Sequence, residues 1–156
     1  MSRRHRAKKR ETTADPKYQS PLLQMVVNRV MKNGKKTLAY NIVYQTMDSL
    51  KEKTDQEPIQ VLTQAIMNVK PVVEVKSQRV GGAAYQIPRD VTTERGTILA
   101  IRWILSAARS RSGMSTVSKL TSEILDASKK TGAAMKRRNE VHRMAEANKA
   151  FAKFRF

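Results

Sequence analysis

The chain has 156 residues, 40% of them hydrophobic and 28% charged, and its 31 Lys and Arg outnumber its 13 Asp and Glu for a formal net charge of +18. That length suits one domain with a real core, and that charge creates a positive field that favours polyanions, with nucleic acid the leading partner class and an anionic membrane surface second. The lack of cysteine excludes disulfides, thiolate catalysis and cysteine-ligated zinc, and no apolar run approaches the ~20 residues of a membrane span.

Residues 1–16, "MSRRHRAKKRETTADP", carry Arg3, Arg4, Arg6, Lys8, Lys9 and Arg10 ahead of the first acid. They have no apolar periodicity and no apolar segment of the kind a secretory signal needs. They are expected to be a basic extension of the mature protein, disordered when free, with the domain proper at residues 17–156. "SPLLQMVVNRVMKNG" then predicts a helix with Ser20 at the N-cap, Pro21 at the first position and Gly34 past the end. Leu22, Val26 and Val30, with Leu23 and Val27, repeat every four residues along its buried stripe. A second helix is expected from about Lys35 to Lys53, with Ala39, Ile42, Val43, Met47 and Leu50 inward. A third begins at Pro58 and is stopped by Pro71.

After Pro71 the period changes from helical to two, in "VEVKSQRVGGAAYQIP". This predicts an antiparallel hairpin at about residues 72–89, with Gly81 and Gly82 at the reversal. A three-residue loop from Gly81 to Ala83 would place Val73, Val75, Tyr85 and Ile87 on one face, and is the expected register. A two-residue loop would instead set Tyr85 and Ile87 opposite Gln78 and Lys76. The base would dock through Val73, Val75 and Ile87, and the tip, Gln78 to Tyr85 (Arg79, Val80, Ala83 and Ala84 included), would extend beyond the helices.

Helix resumes near Thr93 and runs to about Arg111, with Ile98, Ile101, Leu105 and Ala108 as its core stripe. A fifth helix spans about Ser115 to Lys130, with Val117, Leu120, Ile124 and Ala127 inward. A sixth runs from about Ala133 to Lys149, and the tail "NKAFAKFRF" interleaves Phe151, Phe154 and Phe156 with basic residues. The fold class is mainly α: a single six-helix domain with a protruding two-stranded hairpin.

On the fourth helix Arg95, Arg102 and Arg109 recur every seven residues. At 3.6 residues per turn they line one stripe over about 20 Å, which matches the reach of a nucleic-acid backbone better than a compact anion. Arg111 extends the cluster, and only Glu94 is near enough in sequence to neutralise it. Helix six adds Lys136, Arg137, Arg138 and Arg143; Glu140 is spaced to pair with Lys136 and Arg143, whereas Arg137 and Arg138 lack so evident a partner. The three Phe residues of the tail suit packing on the core or on a neighbouring protein. No catalytic set presents itself: His5 lies in the tail, and His142 with Glu146 four residues on reads as a surface pair. "NGKKT" lacks the upstream glycine of a phosphate loop because position 29 is Arg. An enzyme, a cofactor, a metal site, a membrane anchor and a homo-oligomer are all unexpected. An arginine-lined helix also suits a DNA major groove, so a basic DNA-binding or chromatin-type protein is the alternative.

"KPVVEVKSQRVGGAAYQIP", "NGKKTLAYNIVY" and "VHRMAEANKAFAKFRF" closely resemble signatures of the bacterial-type small-subunit ribosomal protein seven family, and the likeness runs through essentially the whole chain. "TTERGTILAIRW" and "SAARSRSG" look most like its cyanobacterial and plastid branch, which implies a chloroplast ribosome, or a cyanobacterial one in the cytoplasm. The resemblance implies a primary binder of the 3′ major domain of small-subunit rRNA that nucleates head assembly. It also implies a hairpin near exit-site tRNA and mRNA, and a C-terminal region near small-subunit protein eleven. On matching positions, the implied RNA contacts are the basic N-terminal tail, Lys35, Lys36, Lys76, Arg79, Arg95, Arg102, Arg109 and the basic part of helix six. Gln78 stands where relatives often carry a basic residue, and Lys153 where many have His.

Overall fold

The computed structural model describes residues 10–80, 82–113 and 115–154. Helix α1 (Pro21–Val30) begins with Ser20 in an extended conformation, its Oγ accepting the Leu23 N–H at 3.4 Å. Pro21 fills a position whose N–H would have no helical partner. Helices α2 (Lys36–Lys53) and α3 (Pro58–Val69) follow, then strands β1 (Val73–Val80) and β2 (Ala83–Asp90). The remaining helices are α4 (Thr93–Ser110), α5 (Thr116–Ser128) and α6 (Gly132–Ala147). A 3-10 segment at Lys149–Phe154 lies in the tail, where the sequence predicts no regular element. Among the described residues the expected architecture holds: six helices and one antiparallel hairpin.

Helix α5 packs against α2, α3, α4 and α6. Its Leu120, Ile124 and Ala127 join Leu23, Val27, Met47, Leu50 and Val69 in one core. Truncating any of the larger ones to Ala costs on the order of 2–5 kcal/mol. Ile98 departs from expectation: it is 46% exposed, while Ala100, Ile104 and Ala108 are buried. At 100° per residue it falls roughly 120° from the centre of that buried arc, so the spacing of three and four residues alone misplaces it. Gly96 is required where α4 crosses the end of α3, since a Cβ there would meet Lys70 Cγ at 2.9 Å.

Polar contacts between elements complete the body. Asn68 on α3 donates to the carbonyls of Ala127 and Ser128 at 3.0 and 2.8 Å, satisfying the end of α5. Glu123 is fully buried on α5. Its Oε1 accepts the Ala134 N–H in the first turn of α6 at 2.9 Å, and its Oε2 accepts from Arg111 Nε at 2.6 Å. Asp15, within the stretch assigned to the basic extension, is buried and belongs to the folded body. It accepts the Tyr44 hydroxyl at 2.9 Å and the amides of Lys17 and Tyr18.

The hairpin register is the two-residue alternative. Val80 pairs with Ala83, Gln78 with Tyr85, Lys76 with Ile87 and Glu74 with Arg89, and Gly82 has φ of +90°, as a tight reversal needs. Directly paired residues share a face, so Ile87 and Tyr85 sit with Lys76 and Gln78 rather than with Val73 and Val75. Ile87 is fully buried and does the docking, while Val73 and Val75, on the opposite face, are only half-buried. The hydrophobic alternation favours the three-residue loop, and the packing of Ile87 on the body overrides it. Strand β1 lies along α6 and β2 along the 3-10 segment. The Tyr85 ring rests on Phe151, with centroids 5.3 Å apart, so Tyr85 belongs to the docked part of the hairpin and not to a free tip.

Candidate nucleic-acid interface

Helix α4 turns its buried arc inward, which leaves Arg95, Arg102 and Arg109 on the outer face, all exposed. They are not equivalent. Arg95 Nε donates to both Glu74 carboxylate oxygens on β1, at 2.8 and 3.0 Å, and these hydrogen bonds and the charge of Glu74 raise its pKa further. The expectation that only Glu94 could neutralise the stripe therefore fails, because the chain brings Glu74 across from the hairpin. Arg111 differs more. Its guanidinium is held by Glu123 and Asp126 on α5; burial opposes its charge, and the bonds from the two carboxylates outweigh that and raise its pKa. It clamps α5 instead of extending the exposed cluster.

Arg102 and Arg109 keep their charges exposed, with no ion pair to any described carboxylate. Arg109, at the end of α4, lines a groove of about 300 Å³ together with Lys35 of the α1–α2 connection and the start of α5. Lys32 and Lys119 stand beside them in the same lining. Neither stands out in the sequence: Lys119, directly before the buried Leu120, gives no signal until the start of α5 is brought against the α1–α2 connection. Lys36 is exposed with its Nζ 5.7 Å from the centroid of the Tyr40 ring.

On the hairpin, Lys76 and Arg79 are exposed, and their odd spacing sends them to opposite faces of the ribbon. Gln78 is engaged: its Oε1 accepts from Arg89 Nη2 at 3.0 Å. Ala83 and Ala84 are exposed. Gly81 and the side chain of Val80 lie outside the described residues, as do Arg3, Arg4, Arg6, Lys8 and Lys9; Arg10 is described and exposed.

Helix α6 also departs from its expected pairing. Arg137 pairs with Glu140 at 2.6 Å, whereas Lys136 and Arg143 are exposed and outside every ion pair among the described residues. Arg138 is half-buried and donates to Asn139 Oδ1 at 3.3 Å. His142 is not a surface partner of Glu146. Its Nε2 accepts the Val72 N–H at 3.2 Å, and burial, then the Arg138 charge, lower its pKa from 6.5. In the tail Phe151 packs on Tyr85 within the chain, and the side chain of Phe154 and all of Phe156 lie outside the described residues.

The arrangement suits a phosphate backbone. Its exposed cations come from the α1–α2 connection, α4, the hairpin and α6, several elements at once, as contact with an extended phosphate backbone requires. No group of three or more potential metal ligands occurs among the described residues, and no described helix is long and apolar enough to cross a membrane.

Comparison with known proteins agrees with this reading. Residues 2–149 match the family described as Ribosomal protein S7p/S5e. The chain is 66% identical to a "Small ribosomal subunit protein uS7c" of Tupiella akineta and 59% identical to one of Ostreococcus tauri, each over all of both chains. It is 54% identical to a "Small ribosomal subunit protein uS7" of Synechocystis, again over the full length of both.

Proposed function

The chain belongs to the ribosomal protein S7p/S5e family, and from that premise we propose that it binds the 3′ major domain of small-subunit rRNA and nucleates assembly of the subunit head. It is a structural component of the ribosome and not an enzyme. Its setting is a ribosome of the chloroplast or the cyanobacterial cytoplasm, and we favour the chloroplast.

One observation carries the RNA reading: five of the acids are tied to partners within the chain, while many more bases face solvent outside every ion pair among the described residues. Glu74, Glu123, Asp126 and Glu140 are each held by an arginine, and Asp15 by Tyr44. Lys35, Lys76, Arg79, Arg102, Arg109, Lys136 and Arg143 are left facing solvent. Those cations neutralise phosphates of a folded RNA junction and release counterions, so affinity falls steeply with salt. The hairpin lies near exit-site tRNA and mRNA through Arg79 and the reversal beside it. The C-terminal tail, with Phe154 and Phe156 beyond the Tyr85–Phe151 contact, meets neighbouring small-subunit proteins, protein eleven among them.

The test is a competition. The full chain should bind a 3′ major-domain rRNA fragment and keep it against a large excess of duplex DNA, and should sediment with the small subunit through a high-salt wash. Equal affinity for duplex DNA would favour a general DNA-binding protein instead.

A further inference from the structure

We propose that the groove between the α1–α2 connection, the end of α4 and the start of α5 takes up one unstacked nucleotide of the bound RNA, its base against the apolar floor and its phosphates at the cationic rim. The inference rests on the RNA-binding reading and adds to it a place where a base, and not only the backbone, is held.

The groove has a volume of about 300 Å³ and an apolar floor of Leu38, Ile42 and Leu105. Lys35, Arg109 and Lys119 stand at its rim, and no carboxylate lines it. Leu38 is 54% exposed at the start of α2, next to the exposed Lys35 and Lys36. A surface evolved only to track phosphates has no use for a large aliphatic side chain held in water at its centre. A groove for an apolar peptide segment has no use for a rim of cations without one balancing acid. A nucleotide satisfies both: its face is apolar enough to lie between aliphatic side chains once unstacked, and its phosphates are anionic. A volume at the lower end of ligand pockets suits a single base.

The experiment uses the full chain and two variants, Leu38→Gln and Lys119→Gln, with the rRNA fragment and with two oligoribonucleotides of equal length and charge, oligouridylate and its abasic counterpart. Leu38 is exposed, so its substitution should leave the circular dichroism and unfolding midpoint unchanged. Leu38→Gln should weaken rRNA binding by about ten-fold, from the apolar area no longer covered by the base, without changing the slope of log affinity against log salt. Lys119→Gln should lower that slope by about 0.7–0.9, one phosphate contact. The wild-type chain should prefer oligouridylate over the abasic strand, and Leu38→Gln should erase the preference. Wild-type binding that Leu38→Gln leaves unchanged, or no preference for bases, overturns the groove assignment alone. An acidic peptide that occupies the groove while rRNA stays bound also overturns it. Failure of the wild-type chain to bind the rRNA fragment overturns the RNA reading and the groove with it.

Discussion

Glu74 on β1 grips Arg95 on α4 through two hydrogen bonds, at 2.8 and 3.0 Å, so one of three arginines aligned along the same helix face is balanced by the hairpin. Local spacing makes the three look alike, and the contact across the chain separates a joint from two free cations.

Charge reversal should therefore act unequally. Arg102→Glu and Arg109→Glu should each weaken binding to the rRNA fragment and flatten its salt dependence by at least the ~0.7–0.9 expected per phosphate contact. Arg95→Ala should do less to binding and should shift stability by no more than about 1 kcal/mol, since its side chain is 59% exposed and the pair is solvent-screened. Reversing all three should abolish binding. Filter binding across a salt series measures all of these, and equal losses from the three single variants would refute the distinction.

Tyr85 and Phe151 tie β2 to the C-terminal segment. A double-mutant cycle of Tyr85→Ala and Phe151→Ala, read by urea unfolding, should give a coupling of about 0.5–1.5 kcal/mol. Removing residues 77–84 spares Ile87, the buried anchor, and should leave the helical body folded and bound to rRNA while disturbing exit-site tRNA occupancy. Loss of the cooperative transition in that deletion would show that the whole hairpin is needed for folding.

His142 makes the hairpin base sensitive to acid. Its Nε2 can accept the Val72 N–H only when neutral, and burial followed by the Arg138 charge lowers its pKa from 6.5. Between the lowered folded value and the unfolded one, the unfolded chain binds more protons, so stability rises with pH across that window. The contribution is complete above about pH 6.5 and lost as pH falls through the folded value. Imidazole titration by NMR should give a midpoint below 6.5, and His142→Gln should flatten this part of the stability profile. A midpoint above 6.5 would contradict the geometry.

At the α5–α6 junction Glu123→Ala should destabilise the chain by about 3 kcal/mol, because it leaves the Arg111 charge without its buried partner and the Ala134 amide without an acceptor. Gly132→Ala should cost more than about 1 kcal/mol. Its φ is +90°, and a Cβ would lie 3.0 Å from Asp126 Cβ and 3.1 Å from Glu123 Oε1. Chemical denaturation of the two variants checks both, and a near-neutral Glu123→Ala would remove this junction from the account of stability.

The helices were legible in the chain because their determinants are local. The Ser20 cap, Pro21 and Pro58 at first helical positions, and the apolar repeats all act within a turn or two. The change of period at Pro71 announced the hairpin for the same reason. The excess of base over acid, with the long runs resembling one ribosomal family, was enough to indicate an RNA partner.

What the chain did not disclose depends on residues far apart in sequence. Which face of the ribbon docks is set by Ile87 finding the body, and which arginines remain free is set by Glu74, Glu123 and Asp126 reaching them from other elements. The groove that joins Lys35 to Arg109 exists only because the α1–α2 connection meets the end of α4 and the start of α5. Composition and periodicity thus determined that this is a basic helical protein with a hairpin. Tertiary structure decided which charges are internal and which face a partner, because a carboxylate acts over a few ångströms of space, whatever its distance along the chain.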